Sequence, residues 1–217
     1  SMIEINTETD FVAKNQEFIN FAEEISELAL VKHGKMEDIL NSDMLNKKKA
    51  KDNLLNFASK IGEKITLRRS AFVGKDKSIN FSYTHSALKK NVGKLGVLLS
   101  LITTKSKKEI LDLGKQLTMQ IAASSPLAIN KESLDQIILK KEKEIITEEL
   151  KNSGKDNKII EKITIGRLNK FITENTLLEQ EWVMEPKKKV KDVIKEVAGK
   201  DKIEIKQFVR FRVGEGL

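Results

Sequence analysis

Few side chains in this 217-residue sequence could take part in catalytic or metal chemistry. The chain has two histidines, His33 and His85, and no cysteine. A zinc site or a nucleophile–histidine pair would need nearly all such groups to converge, so we predict neither a metal site nor a catalytic site. A phosphate-binding loop needs a glycine spacing that neither Gly154-Lys155-Asp156 nor Gly199-Lys200-Asp201 provides. We therefore expect a protein that is not an enzyme and that binds no nucleotide or cofactor itself.

The charge of the chain indicates a solvated surface before it indicates nucleic acid. Forty basic and 32 acidic residues give a formal net charge of +8, and the two signs alternate through most of the sequence. Runs such as Lys187-Lys188-Lys189 are typical of solvated faces, and an aromatic content of 5% is low for base stacking. A basic nucleic-acid-binding module is therefore the alternative function, and the weaker one.

The sequence also bears on location. The longest apolar run, residues 97–102, has the length of a strand and contains Ser100, so no membrane span is expected. The absence of cysteine fits a reducing compartment, which predicts an intracellular protein. The start Ser1-Met2, followed at once by the strand-like Ile3-Glu4-Ile5, is typical of a chain that begins in mid-domain, and we expect an N-terminal truncation.

One segment near the start, Thr9-Asp10-Phe11-Val12, places a hydroxyl, an acid and an aromatic ring at the beginning of a helix. Thr9 or Asp10 could serve as the N-cap. Phe18 follows Phe11 by seven residues, so helical periodicity alone favours a buried Phe11 on the core face of that helix. Periodicity by itself therefore indicates an ordinary capped helix start.

Hydrophobic spacing divides the chain into short strands and amphipathic helices. Alternation predicts strands at residues 3–5, 64–73, 78–83, 94–103 and 209–213. Spacings of three and four predict helices over residues 12–32, from Ser42-Asp43 to Gly62, from the capping box Ser106–Glu109 to Pro126, twice within 131–174, and over 190–197. Because strands cluster and hairpins predominate, the pattern predicts an α+β fold.

Several details of this pattern are specific. The three middle strands should form one small antiparallel sheet, and the turn of the helical pair is expected at Asn152-Ser153-Gly154-Lys155. The inner face of the second helix should contain Leu54, Leu55, Ala58 and Ile61, with Lys47-Lys48-Lys49 on the outer face. In the last strand, Val209, Phe211 and Val213 should point inward, and Arg210 and Arg212 outward.

The segment after the first strand resembles a known family. Glu4-Ile5-Asn6 leading into Thr9-Asp10-Phe11-Val12-Ala13-Lys14 is similar to the signature of elongation factor Ts, whose Thr-Asp-Phe-Val motif is followed by Ala-Lys. Other segments are similar to the family in the same order: residues 61–65 and 67–69, 119–124 with Pro126, 166–167, 170–171, 183–186 and 208–216. The resemblance covers nearly the whole chain.

The resemblance implies a translation elongation factor that acts as a guanine-nucleotide exchange factor. It also implies a cytoplasmic protein, with an organellar matrix as the alternative. Such a factor binds elongation factor Tu with its GDP, displaces Mg²⁺ and promotes GDP release so that GTP can bind. The family uses its signature motif as a wedge against the GTPase, a role that falls here on Thr9, Asp10, Phe11 and Val12, with Phe11 exposed. A second candidate contact with the GTPase is Met119, Gln120, Ile121, Ala122 and Ala123, where Gln120 replaces a histidine of some members.

The resemblance also implies an architecture of small antiparallel sheets packed with helices. We expect an N-terminal core subdomain, 1–103, that contains the signature motif, and a C-terminal core subdomain, 104–217. An antiparallel helical hairpin at about 131–178 should project from the latter, and its family role makes a homodimer a second candidate partner. The small N-terminal helical domain of the family is missing from this sequence, so binding strength is the property most affected.

Overall fold

The structure is a computed structural model that describes residues 1–74, 77–151 and 156–216. Contacts within the chain define two compact units: Ser1–Leu101 with the closing residues from Lys206 onward, and Ile102–Ile205. These units differ from the expected subdomains 1–103 and 104–217 chiefly in the closing residues, which join the first unit because they pair there. Helices and short antiparallel strands are combined along the chain, which confirms the predicted α+β class.

Helices and strands occur in runs along the chain, with four helices after β1 and three consecutive strands after α4. The described residues contain eight α-helices: α1 Asp10–Ala13, α2 Gln16–Val31, α3 Met36–Leu40, α4 Ala50–Ile61, α5 Leu111–Ser124, α6 Gln136–Lys151, α7 Asn157–Asn175 and α8 Val190–Ala198. Two of the predicted ends are confirmed by local conformation. Gly62 ends α4 in the left-handed region with a φ of 78°, and α5 stops at Ser124, just before Pro126.

Seven strands in the same residues form three small sheets. They are β1 Met2–Asn6, β2 Thr66–Ala71, β3 Ile79–His85, β4 Leu95–Thr103, β5 Glu181–Trp182, β6 Glu185–Lys189 and β7 Ile203–Arg212. The first sheet pairs β1 with β2 antiparallel, with a register shift between Glu4 and Ile5. The second has the order β3-β4-β7, with β3 and β4 antiparallel, and the third is the antiparallel pair β5-β6.

The first unit has two clusters of buried apolar side chains. One joins α2, α3, α4 and β2 through Ile25, Ala29, Ile39, Met44, Ala50 and Leu67. The other consists of Val12, Phe18, Phe57 and Ile65, and it connects α1 to α2 and α4. Each valine, leucine, isoleucine, methionine or phenylalanine side chain of these clusters contributes about 1.5–3 kcal/mol when it is removed from water. The short helix α1 is therefore fixed to the core through a single residue, Val12.

In the second unit, α6 and α7 pack side by side. Ala128, Leu134 and Ile172 form a cluster near the start of α6 and the end of α7. Ile146, Leu150 and Ile160 form another near the end of α6 and the start of α7, so the two helices are antiparallel, as predicted. The turn predicted at Asn152-Ser153-Gly154-Lys155 lies outside the described residues.

Several helix predictions for the first unit are wrong in detail. The helix expected over residues 12–32 is two helices, because the side chain of Asn15 accepts a hydrogen bond from Glu17 N and starts α2 anew. Helix α3 was not predicted. Lys47-Lys48-Lys49 precedes α4 instead of lining its outer face, and Leu55 is exposed while Phe57 occupies the inner face.

The strand predictions also need correction. The three middle strands do not form one sheet, because β2 pairs with β1 while β3 and β4 join β7. The β5-β6 hairpin was missed, since Pro186 and three lysines do not resemble a strand. The last strand begins earlier, at Ile203, and Arg210 is not an outward residue: its side chain is 10% exposed and pairs with Glu215 at 2.8 Å.

The carboxylate of Glu4 lies at the junction of β1, β2 and the closing segment. Its side chain is only 1% exposed, and it accepts hydrogen bonds from Arg68 Nη1 at 3.0 Å, Arg69 Nε at 2.5 Å and Gly214 N at 3.1 Å. Burial opposes ionisation of Glu4, but the bonds from Gly214 and the two arginines outweigh it, so its pKa lies below the ordinary value. Arg69 also covers the ring of Phe211, 4.2 Å from its centroid.

We expect Glu4→Gln to lower the free energy of unfolding by about 2–4 kcal/mol at neutral pH, because two arginines lose their buried counter-ion. Since the pKa of Glu4 is lower in the folded than in the unfolded chain, its contribution is complete above the unfolded value, about pH 4.3. It is lost as the pH falls through the lower folded value. Urea unfolding at several pH values should show the stability difference shrinking on acidification.

The matched control is Glu17→Gln, which removes an exposed carboxylate that pairs with Lys60 at 2.5 Å. Because both partners are exposed, the change should stay within about 1 kcal/mol. Equal losses for the two variants, or a Glu4→Gln difference that does not depend on pH, would contradict the assigned role of the buried carboxylate.

Candidate functional site

The candidate site is the strand–helix junction at Thr9, Asp10, Phe11 and Val12, here called the 9–12 motif. The backbone of Thr9 is extended, and its hydroxyl oxygen accepts a hydrogen bond from Val12 N at 3.4 Å, so Thr9 is the N-cap of α1. Helix α1 lasts one turn and ends at Ala13 with Lys14 as its C-cap, after which Asn15 caps α2. Two capping residues six positions apart thus produce two helix starts in succession.

Adjacent side chains of the motif have opposite environments. Val12 is buried against Phe18, Phe57 and Ile65, whereas Phe11 is 89% exposed. The seven-residue spacing between Phe11 and Phe18 fails to predict this, because the break at Asn15 resets the helical phase between them. The structure therefore places Phe11 on the surface, where the family resemblance needs it. Its functional role stays a prediction.

Two residues distant in sequence contact the motif. The carboxylate of Glu63 accepts hydrogen bonds from both Thr9 N, at 3.1 Å, and the Thr9 hydroxyl, at 2.6 Å. Lys94 Nζ lies 2.9 Å from one carboxylate oxygen of Asp10 and 3.2 Å from the other. The hydrogen bond and the charge of Lys94 lower the pKa of Asp10, which keeps this carboxylate ionised.

The second candidate segment is mostly internal. Gln120 and Ile121 are completely buried, Ala122 is half-buried, and Met119 and Ala123 are exposed. The two buried side chains therefore present nothing to a partner in this conformation. Of the five candidates, Met119 and Ala123 are the ones with accessible side chains.

The amide of Gln120 fixes the β5-β6 hairpin instead. Its oxygen accepts a hydrogen bond from Val183 N at 2.8 Å, and its nitrogen donates to Glu181 O at 3.1 Å and to Gln180 Oε1 at 3.3 Å. A buried amide with such partners is satisfied, and it holds a segment whose tip exposes Val183 and Met184. Gln120 thus has a structural role that the sequence pattern did not suggest.

The histidines have local packing partners. His33 follows α2 and stacks on Phe72 with ring centroids 4.7 Å apart. His85 Nδ1 lies 3.0 Å from the hydroxyl of Tyr83. Across residues 1–74, 77–151 and 156–216, no three histidine or carboxylate side chains are placed to hold a metal ion. The expectation of no metal site stays a prediction.

The 9–12 motif lies outside the groove between α2 and α4. The groove between α2 and α4, about 560 Å³, is lined by residues such as Glu17, Phe21, Leu45 and Phe57, and by none of residues 9–12. Small-molecule sites are concave, whereas an exposed ring on a single helical turn suits insertion into another protein.

Among the helices described here, none is both long and apolar enough to cross a membrane.

Comparison with known proteins places this geometry in a family. The family model described as Elongation factor TS matches residues 8–215. Relatives called Elongation factor Ts include those of Gluconobacter oxydans (strain 621H), 35% identical over 217 residues, and Erythrobacter litoralis (strain HTCC2594), 38% identical over 219 residues. The alignments cover 100% and 99% of this chain, and 70% and 71% of those relatives.

A third relative, Elongation factor Ts of Methylorubrum extorquens (strain PA1), is 36% identical over 220 residues, covering 100% of this chain and 71% of its own length. These matches define a translation elongation factor. More narrowly, the chain belongs to the elongation factor Ts family, as its motifs indicated.

Sequence reasoning missed Glu63 and Lys94, the two residues that bind Thr9 and Asp10. Glu63 follows Gly62 directly, so the glycine that ends α4 was a signal for a sharp turn but not for a contact. Lys94 is 84 residues from Asp10, a separation that no local pattern reports.

We expect Gln120→Leu to lower the free energy of unfolding of the second unit by about 2–3 kcal/mol. The leucine fills a similar volume but leaves Val183 N and Glu181 O without their partner. Thermal and urea unfolding measure the loss. Lys115→Ala on the exposed face of the same helix is the control, and it should change stability by less than about 0.5 kcal/mol. A Gln120→Leu variant as stable as the parent would contradict the structural role of this amide.

Proposed function

We propose that this chain is a guanine-nucleotide exchange factor for elongation factor Tu. It binds the GDP-bound GTPase, displaces the Mg²⁺ that helps to hold GDP, and promotes GDP release so that GTP can bind. The observation that supports this proposal most is the 89% exposure of Phe11 on a one-turn helix whose next residue, Val12, is fixed in the core. A large ring without an internal partner is available to enter a pocket on another protein.

The physical basis of the proposed exchange is linkage. A factor that favours the nucleotide-free GTPase weakens nucleotide affinity by the same coupling free energy. Burial of one phenylalanine contributes about 1.5–3 kcal/mol, which helps to hold a conformation that is otherwise sparsely populated. No bond is made or broken in this process. We therefore propose a factor that is not an enzyme, with the nucleotide site and the metal both supplied by the GTPase.

The ionised carboxylate of Asp10 adds a second element to the proposed wedge. It lies next to Phe11 and is paired with Lys94 while most of its surface faces solvent. An exposed carboxylate beside an inserting ring can accept hydrogen bonds from the partner and rearrange polar contacts near the metal.

We propose the cytoplasm as the place of action, because a translation factor works where its GTPase partner is found.

Ion pairs in the lysine-rich segment 187–191 argue against the alternative function, nucleic-acid binding. Lys188 donates to Glu196 at 2.9 Å, and Lys189 and Lys191 donate to Glu179 at 2.8 Å and 2.6 Å. Phosphate binding by these lysines would have to compete with carboxylates already in place. The acid–base pairs fit a solvated face better than a phosphate-binding surface.

A homodimer through the α6–α7 pair is the second partner that we propose. Four isoleucines on these two helices are at least half exposed: Ile137, Ile145, Ile159 and Ile165. Apolar side chains repeated along a helical pair are typical of a surface that associates. Sedimentation velocity over a range of concentrations tests this proposal, and a monomer mass at every concentration would remove it.

We expect Phe11→Ala to raise the half-saturating concentration for stimulated GDP release by roughly 10- to 100-fold, which corresponds to the loss of one buried ring at the interface. The measurement is release of a fluorescent GDP analogue from elongation factor Tu. Because Phe11 makes few internal contacts, the melting temperature of the variant should match that of the parent.

The matched control is Leu45→Ala, since Leu45 is also 89% exposed and lies in the same unit. It should leave stimulation unchanged. Unaltered stimulation by Phe11→Ala would exclude Phe11 from the mechanism.

In a pull-down, the parent chain should retain elongation factor Tu, and excess GDP should disrupt that complex.

A further inference from the structure

The helix that presents Phe11 is too short to be stable without external contacts. Helix α1 has four residues, and a single helical turn fixes several backbone dihedrals for very few hydrogen bonds. Its internal bonds are long: Ala13 N to Thr9 O at 3.3 Å and Lys14 N to Asp10 O at 3.2 Å. The direction of Phe11 must therefore depend on tertiary contacts of its neighbours.

Glu63 provides one such contact at the helix start. Its carboxylate accepts a hydrogen bond from the Thr9 hydroxyl, so the lone pairs of that hydroxyl are free to accept one from Val12 N. The same carboxylate also accepts a hydrogen bond from Thr9 N. One carboxylate thereby fixes both the backbone and the side-chain rotamer of the N-cap. Glu63 itself is held between Gly62, which ends α4, and the buried Ile65.

Lys94 provides the other contact, on the next residue of the motif. Its ammonium group reaches both carboxylate oxygens of Asp10. The backbone of Lys94 is also fixed, because its carbonyl oxygen accepts a hydrogen bond from Val213 N at 2.9 Å. The position of this ammonium group therefore depends on the pairing of the closing segment.

We propose that Glu63 and Lys94 are positioning residues of the exchange reaction. They bind two consecutive residues, Thr9 and Asp10, and fix the direction of Phe11 before the partner arrives. An ordered motif loses less conformational entropy on binding than a mobile one, so the same contacts give a tighter complex. This inference rests on the proposed exchange function, and it concerns residues outside the 9–12 motif itself.

The first experiment compares variants in the GDP-release assay. Glu63→Ala should raise the half-saturating concentration by roughly 3- to 10-fold, and Lys94→Met by about 2- to 3-fold, because the lysine contact is an exposed ion pair. Lys94→Arg keeps the charge and the donors, and it should restore stimulation. In all three, the maximal rate at saturation should equal that of the parent, because the wedge residues are intact.

The control for Lys94→Met is Lys60→Met. Lys60 and Glu17 are 62% and 54% exposed, close to the 61% and 63% of Lys94 and Asp10. Both substitutions remove one exposed ion pair from the same unit, but only Lys94 contacts the motif. Lys60→Met should therefore leave the half-saturating concentration unchanged. Equal effects of the two substitutions would overturn the proposal for Lys94.

The second experiment needs no partner and separates positioning from direct contact. In the free chain, backbone ¹⁵N order parameters of residues 10–13 should be near the rigid value, about 0.85, and should fall towards about 0.6 in Glu63→Ala. Helix α2 should not change. Weaker exchange with unaltered order parameters would mean that Glu63 or Lys94 touches the GTPase directly, which would overturn the positioning role.

The outcomes also distinguish this inference from the proposed function. A parent chain that fails to stimulate GDP release would refute the exchange function, while the order parameters would still report whether Glu63 orders the motif. If the parent stimulates release and Phe11→Ala does so only at a higher concentration, a Glu63→Ala variant with parental half-saturation would refute the positioning role alone.

Discussion

A carboxylate that leaves water must be given hydrogen-bond donors, and in this chain that requirement determines much of the first unit. Glu4 is satisfied by two arginines of β2 and by the backbone of Gly214, so β1, β2 and the closing segment have to meet at one point. β1 leads directly into the 9–12 motif, and the same closing segment fixes the backbone of Lys94. The buried acid thus helps to locate both the motif and one of the residues that hold it.

The exposure of Phe11 arises from a local conflict that the fold resolves. Phe11 and Phe18 have the spacing of one helix face, but Asn15 is a better helix start than helix interior, and its cap divides the segment into α1 and α2. Val12 then enters the core and Phe11 is left outside. An apolar ring kept in water is costly for an isolated chain and is typical of a surface that functions with another protein.

Much of the fold could be predicted from the sequence, because its signals are local. Gly62 and Pro126 marked helix ends, and alternation marked β3 and β4. The rest depends on tertiary contacts that have no local signature. Helical periodicity predicts a buried Phe11 because it assumes one continuous helix, whereas the cap at Asn15 divides the segment. Alternation predicts an exposed Arg210 because the pairing of this residue with Glu215 depends on a turn beyond the strand. Glu63 and Lys94 are 54 and 84 residues from the atoms that they bind, so only the folded chain brings them to the motif.

The discontinuity of the first unit has a consequence for how this protein is made. Residues 1–101 are translated before the second unit, but the segment that supplies Gly214 N to Glu4 is translated 210 residues after Glu4. Until then the nascent chain contains a carboxylate and two arginines that lack their last partner, and the whole second unit is synthesised in the interval. Contacts of such sequence separation form slowly, because a long loop must close before they stabilise anything. The junction at Glu4 is therefore completed only after the second unit has been synthesised, although it belongs to the unit that contains the 9–12 motif.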